Sequence, residues 1–228
     1  MAKTMRYILR LLWLVPLLGL VACGDDFALS TKYYYVKPEN KAWLVNDSLI
    51  GVPYAMVDNN GITYNFTGIS TSHDFSEGMS GFFFIPTQKS YRENYYSSSV
   101  SNYGTSFSMY LYASYTSKND DDIHLYLTGI SIHCALKSRE VTYFGCDENN
   151  VEWTQTDENT TTKIFVNVDK LNSLTVQNQT YNEVLHCYLK DPIGVIKPNQ
   201  CTDLYYAKGI GLIKYTLKNG IVFERITN

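Results

Sequence analysis

From Trp43 to the C-terminus, apolar and polar residues alternate with a period of two between clusters of turn residues, which predicts antiparallel strands. Segments 53–58 and 62–67 flank Asn59-Asn60-Gly61, and segments 204–217 and 221–226 flank Lys218-Asn219-Gly220. In both turns Asn-Gly supplies the positive φ angles of a tight hairpin. Further strands are expected over 80–87, 105–115, 123–136, 141–144, 151–154, 164–168 and 179–189. Only 88–100 has the spacing for a helical turn, which its serines weaken. His73, Asp74 and Glu77 fall in a loop on this reading, and Gly209 and Gly211 fall inside a strand, where they permit a bend or close packing. The expected fold class is all-β, mainly antiparallel, built as a β-sandwich or as curved half-barrel sheets with little helix.

The first residues follow a different pattern. Lys3, Arg6 and Arg10 precede an apolar run over 11–22, interrupted only by Pro16 and Gly19. The run is shorter than the ~20 apolar residues that span a bilayer. Basic start, short apolar centre and small-residue end predict a secretory signal peptide over 1–22, against the alternative of a buried core helix. Residues 23–40 read as a polar tether, in which Tyr33, Tyr34 and Tyr35 suggest a first edge strand instead. The polar patch 157–162 divides the remainder into an N-terminal β region, 41–156, and a C-terminal β-meander, 157–228, with separate cores or one shared core.

The end of the apolar run, Leu20-Val21-Ala22-Cys23 followed by Gly24-Asp25-Asp26, resembles a lipobox. The resemblance implies cleavage before Cys23 and acyl chains on its thiol, so that the lipid bilayer is a partner; each buried methylene contributes ~0.8 kcal/mol to such anchoring.

Charge excludes one class of ligand. Loss of 1–22 removes three of the 19 basic residues and none of the 22 acidic ones, moving the net charge from -3 to -6. No basic stripe remains for a nucleic acid. Cys134, Cys146, Cys187 and Cys201 are an even set in an exported chain and are disulfide candidates, the shortest loops pairing Cys134 with Cys146 and Cys187 with Cys201. His133-Cys134 and His186-Cys187 offer zinc donors in principle, but neighbours on a strand point to opposite faces, which favours disulfides. Asp120, Asp121 and Asp122 read as a calcium site or, more simply, as a solvated hairpin tip.

No G-x-S-x-G elbow, H-E-x-x-H or phosphate loop is present, so the sequence assigns no catalytic residue, metal or cofactor. Trp43, Tyr95, Tyr96 and Trp153 are candidates for a glycan-binding platform, with core and cross-strand packing as the competing use of the same rings. A non-enzymatic binding or structural module with a glycan or protein ligand is the first expectation. A secreted-type hydrolase acting on glycan or peptide is the second.

Three further blocks, Asp58-Asn59-Asn60-Gly61-Ile62, Thr87-Gln88-Lys89-Ser90-Tyr91 and Tyr205-Tyr206-Ala207-Lys208-Gly209-Ile210-Gly211-Leu212-Ile213-Lys214, resemble segments of Bacteroidetes-type surface lipoproteins with a curved antiparallel β-sheet domain. Thr180-Tyr181-Asn182-Glu183-Val184 resembles the strand before the last block. The resemblance implies an outer-membrane location, the cell surface ahead of the periplasmic face, and carries no catalytic motif. Asp47-Ser48-Leu49 also resembles the short O-glycosylation site of that phylum.

Overall fold

The computed structural model describes residues 30–82, 85–115, 120–147 and 149–226, so the signal segment and Cys23 lie outside the described residues. Nearly all regular structure is strand, as the alternation requires. The first sheet contains β1 (Ser30–Tyr34), β4 (Ser70–Phe82), β5 (Ile85–Val100), β6 (Ser106–Tyr112), β7 (Asp122–Leu127), β8 (Ile130–Ala135), β9 (Val141–Cys146) and β10 (Asn149–Asn150). Its order is β1-β5-β6-β7-β8-β9-β10, with β4 also paired to β5. The second contains β2 (Tyr54–Asp58), β3 (Thr63–Phe66), β11 (Trp153–Thr154), β12 (Ile164–Val176), β13 (Gln179–Lys190), β14 (Cys201–Ala207), β15 (Gly211–Leu217) and β16 (Val222–Ile226). Its order is β11-β12-β13-β14-β15-β16-β2-β3, so strands from both halves of the chain lie in one sheet. A four-residue helix, α1 (Pro38–Lys41), begins at a proline, whose missing N–H costs a first helical turn nothing.

Two compact units divide the chain. In the smaller, residues 30–33 and 77–91, Tyr33 stacks on Tyr91 with ring centroids 5.1 Å apart, and Ser90 Oγ donates to the Gly78 carbonyl at 3.1 Å. The larger holds residues 34–76 and 92–226 of the described chain. Here strict alternation in β6, β7 and β8 turns Met109, Leu111, Ile123, Leu125, Ile132 and Cys134 inward, against Val166, Leu185, Tyr206 and Tyr215 of the second sheet. Both sheets therefore share one hydrophobic core, the arrangement of a β-sandwich.

Several sequence expectations are corrected. The expected strand 123–136 is two strands, turned at Thr128-Gly129, where both residues take positive φ (50° and 80°) as a two-residue hairpin demands. The expected strand 204–217 likewise turns at Gly209 (φ 73°), so that glycine makes a corner rather than a bend inside a strand. Residues 88–100 are strand, not helix, and His73, Asp74 and Glu77 lie on β4 rather than in a loop.

The four cysteines are unpaired. In the β8–β9 ladder Cys134 lies opposite Val141 while Cys146 lies opposite Ile130, four residues away. At ~3.3 Å per residue the separation is about 13 Å, against the ~7 Å limit for a bridge. Cys187 lies opposite Leu204, three residues from Cys201, which is about 10 Å by the same rise. All four are buried in the shared core, where burial pushes the Cys134 thiol up to about 12 and raises Cys187 and Cys201 as well.

Candidate functional site

One end of the sandwich opens into a cleft of about 610 Å³. Its wall is a run of aromatic rings that begins in the core and ends in solvent. Tyr215 on β15, 1% exposed, stacks on Phe223 of β16 with centroids 4.3 Å apart. Phe223 meets Tyr64 of β3 edge-on at 4.8 Å, and Tyr64 meets Tyr103 at 4.8 Å. Tyr103 is 63% exposed. Turn chemistry holds it there: Ser101 Oγ accepts the N–H groups of Tyr103 (3.3 Å) and Thr105 (3.0 Å), and Asn102 Oδ1 accepts the Asn65 N–H at 3.0 Å. That last bond ties the β5–β6 turn to the strand carrying Tyr64.

The opposite rim is polar and built with little freedom. Gln200, 2% exposed, accepts the Lys197 N–H (2.7 Å) and the Cys146 thiol (3.3 Å) on Oε1 and donates from Nε2 to Asp147 Oδ1 (2.8 Å). Thr128 Oγ1 accepts the Cys201 N–H at 2.9 Å. A side chain at Gly129 would place its Cβ 2.6 Å from Asp147 Oδ1, so the Asp147 carboxylate would have to shift, and the φ of 80° favours glycine there. Thr128 and Asp147 (φ 51°) both adopt the left-handed region that L-residues seldom take. Two such residues on one rim fit the tendency of backbone strain to gather at functional sites.

Among the lining residues the only full charges are Asp147 and Lys197, and these form an ion pair. Burial first, then the nearby Asp58 carboxylate, raises the Tyr64 phenol, which therefore stays a neutral hydroxyl. The cleft thus offers two tyrosine rings, one of them largely exposed, together with Thr105, Ser106, Asn199 and Asn219.

A second feature lies on the outer face of the first sheet. Register places Tyr96, Tyr110, His124, His133 and Tyr143 directly opposite one another across β5, β6, β7, β8 and β9. Adjacent rings lie 4.5 Å apart for Tyr96–Tyr110, 3.5 Å for His124–His133 and 4.5 Å for His133–Tyr143. Their faces cover each other, so ring edges meet solvent and the row is chiefly cross-strand packing. Burial lowers both imidazoles, His124 to about 3 (helped by His133 and Arg92) and His133 to about 4, so both are neutral near pH 7. Ser131 Oγ lies 3.1 Å from His133 Nε2.

The four aromatic residues singled out from sequence do not converge. Trp43 is 5% exposed and belongs to the core, and Trp153 packs on the core periphery at β11. Tyr95 and Tyr96, adjacent on β5, point to opposite faces. Tyr95 donates at 2.7 Å to the buried Glu93 carboxylate, which also receives the Val36 N–H (2.7 Å), Lys41 Nζ (2.9 Å) and His73 Nε2 (3.1 Å). The platform expected from these residues is thus replaced by Tyr64 and Tyr103, the latter carried on the turn that Ser101-Asn102-Tyr103-Gly104 signals in the sequence.

The remaining candidates are occupied structurally. Asp121 is 1% exposed, not a solvated tip; its carboxylate accepts the Lys37 N–H, Asn40 Nδ2 and the Ser114 N–H at 2.8, 2.8 and 3.0 Å. Asp122 pairs with Arg92 at 3.0 Å. His133 and His186 face outward while Cys134 and Cys187 face the core, so neither dipeptide can present both donors to one metal. No group of three metal-binding side chains occurs among the described residues. Comparison with family models, curated proteins and solved structures finds no match to this chain.

Proposed function

We propose that the protein is an exported, lipid-anchored binding module whose sandwich-end cleft holds a neutral, hydroxyl-rich ligand, a glycan in the first instance. The carrying observation is the pairing of an accessible tyrosine face at Tyr103 with a rim of amides and hydroxyls whose charges, Asp147 and Lys197, neutralise each other as an ion pair. Sugar C–H faces stack on such rings, and sugar hydroxyls exchange hydrogen bonds with Asn199, Asn219 and Thr105. The cleft has one carboxylate, Asp147, already held by Gln200 and Lys197, so it lacks the two-carboxylate pair of glycoside hydrolysis. Anchoring rests on the lipobox-like sequence ending at Cys23 and on the acidic Asp25 and Asp26 behind it, which favour the outer membrane and its exposed face. No helix among the described residues is long and apolar enough to cross a membrane.

One observation favours the hydrolase reading. Ser131 and His133 make a nucleophile–base contact at 3.1 Å. Against it, the neighbours of His133 on the sheet are the His124 and Tyr143 rings rather than an orienting acid, and ladder pairing on both sides of β8 engages the backbone donors an oxyanion hole would need.

An array of neutral and charged glycans, probed with the intact protein and with Tyr103→Ala, tests the binding reading. Retention of neutral glycans by the wild type and their loss from the variant supports it. Equal retention by both proteins, or hydrolysis of the printed glycans, refutes it.

A further inference from the structure

At the far corner of the second sheet from this cleft's turns, a cation is buried without an acid. Arg225 on β16 is 8% exposed. Its Nη1 donates to the carbonyls of Ile210 (3.2 Å) and Leu212 (3.5 Å), and its guanidinium lies 4.2 Å from the centre of the Tyr54 ring. No carboxylate lies within ion-pair distance of it among the described residues. Tyr54 cannot supply the missing charge: its hydroxyl is bonded to Ser99 Oγ at 2.7 Å, and burial raises its phenol to about 12.

A second orphan sits at the same corner. Tyr181, 4% exposed, packs with Ala207, Ile210 and Ile213, the β14–β15 corner whose carbonyls receive Arg225. Its hydroxyl is the one buried side-chain polar atom among the described residues without a hydrogen-bond partner. The two groups are also electrostatic neighbours, the Arg225 charge working to lower the Tyr181 phenol against its burial. Arg225 keeps 8% of its surface exposed, so part of the side chain borders space a water-sized body can reach.

A buried charge with no acid beside it and an unmet buried hydroxyl each cost free energy, and here both are donors. One acceptor of negative charge would satisfy both. We propose that Arg225 and Tyr181 form an internal site for a small monovalent anion, a halide or a small carboxylate, that completes the β14–β15 corner.

The test is chlorine-35 NMR of the intact protein titrated with sodium chloride, repeated on Arg225→Met and Tyr181→Phe. Saturable excess line broadening in the wild type is expected, absent in Arg225→Met and reduced several-fold in Tyr181→Phe. Should Arg225→Met not fold, Tyr181→Phe, which removes only the orphan hydroxyl, carries the comparison. Formate then separates the two sources: competition shows that a carboxylate is accepted, and persistence of the broadening shows a halide site. Broadening that does not saturate, or that is the same in wild type and Tyr181→Phe, means that water alone fills the corner and overturns the proposal.

Discussion

The imidazoles of His124 and His133 lie face to face, ring centroids 3.5 Å apart and planes within 3°. Two cations could not sit at that distance in a half-buried row, which is why burial and mutual repulsion hold His124 at about 3 and burial holds His133 at about 4. Unfolded histidine takes up its proton near pH ~6.5, well before the folded pair does. Between those values the unfolded state binds more protons, so stability falls as pH falls. Denaturant midpoints should therefore drop from pH 7 to pH 4, and His124→Phe/His133→Phe should flatten that slope. An unchanged slope in the double variant would remove the pair from the acid response.

Glu93 holds the Val36 N–H, Lys41, His73 and Tyr95 together from a nearly buried position. Burial pushes its carboxyl up, but bonds from Lys41, Tyr95 and Val36 outweigh that and keep it below the ordinary range. Its contribution is thus present above the unfolded carboxyl pKa and lost as acid titrates the folded one. Glu93→Ala strands the Val36 N–H and the Tyr95 hydroxyl and leaves the more exposed Lys41 without its partner, and should cost about 1–3 kcal/mol by urea unfolding, the range for an unmet buried donor. Lys41→Ala leaves the nearly buried Glu93 carboxylate without its lysine, so it should destabilise as well and raise the Glu93 carboxyl.

All four described cysteines should titrate as thiols. Intact mass should be the same with and without reductant, and a thiol reagent should modify Cys134, Cys187 and Cys201 only after denaturation, since burial both hides them and disfavours the thiolate. Loss of two mass units per bridge on isolation under native conditions would contradict four unpaired thiols.

The Thr128-Gly129 turn underlies the cleft rim. Gly129→Ala meets both a φ of 80° and a Cβ contact of 2.6 Å with Asp147, so it should destabilise by about 1–3 kcal/mol, the range for strain plus overpacking. Tyr103→Ala, on an exposed turn, should stay within ~0.5 kcal/mol of wild type, as surface substitutions do. Thermal melts of the two variants make the comparison.

Much of the fold was legible because alternation and Asn-Gly carry direct physical meaning. The hairpins at Gly61 and Gly220 and the strands around them fall where their residues indicate, although the glycines alone, and not Asn60 or Asn219, take positive φ. The hairpin at Thr128-Gly129 did not announce itself, since a β-branched residue at positive φ is disfavoured locally and is held here by the hairpin and by the Cys201 N–H. Asp121 was misread for a related reason: a run of acids is normally solvated, and the donors that bury this one come from Lys37, Asn40 and Ser114. Short loops suggested cysteine pairs that strand register keeps apart. The cleft was invisible because Tyr64, Tyr103 and Phe223 meet through long-range pairing, of β3 with β2, of β2 with β16, and of the β5–β6 turn with Asn65 and Phe66.

The most direct measurement of the binding account is the aromatic carbon–proton NMR spectrum of the intact protein titrated with neutral oligosaccharides. Resonances of Tyr64 and Tyr103 should move in a saturable way while those of Tyr110 and Tyr143 on the sheet face stay fixed. Movement confined to Tyr110 and Tyr143, or no movement in any tyrosine across neutral oligosaccharides, would contradict a ligand in the cleft.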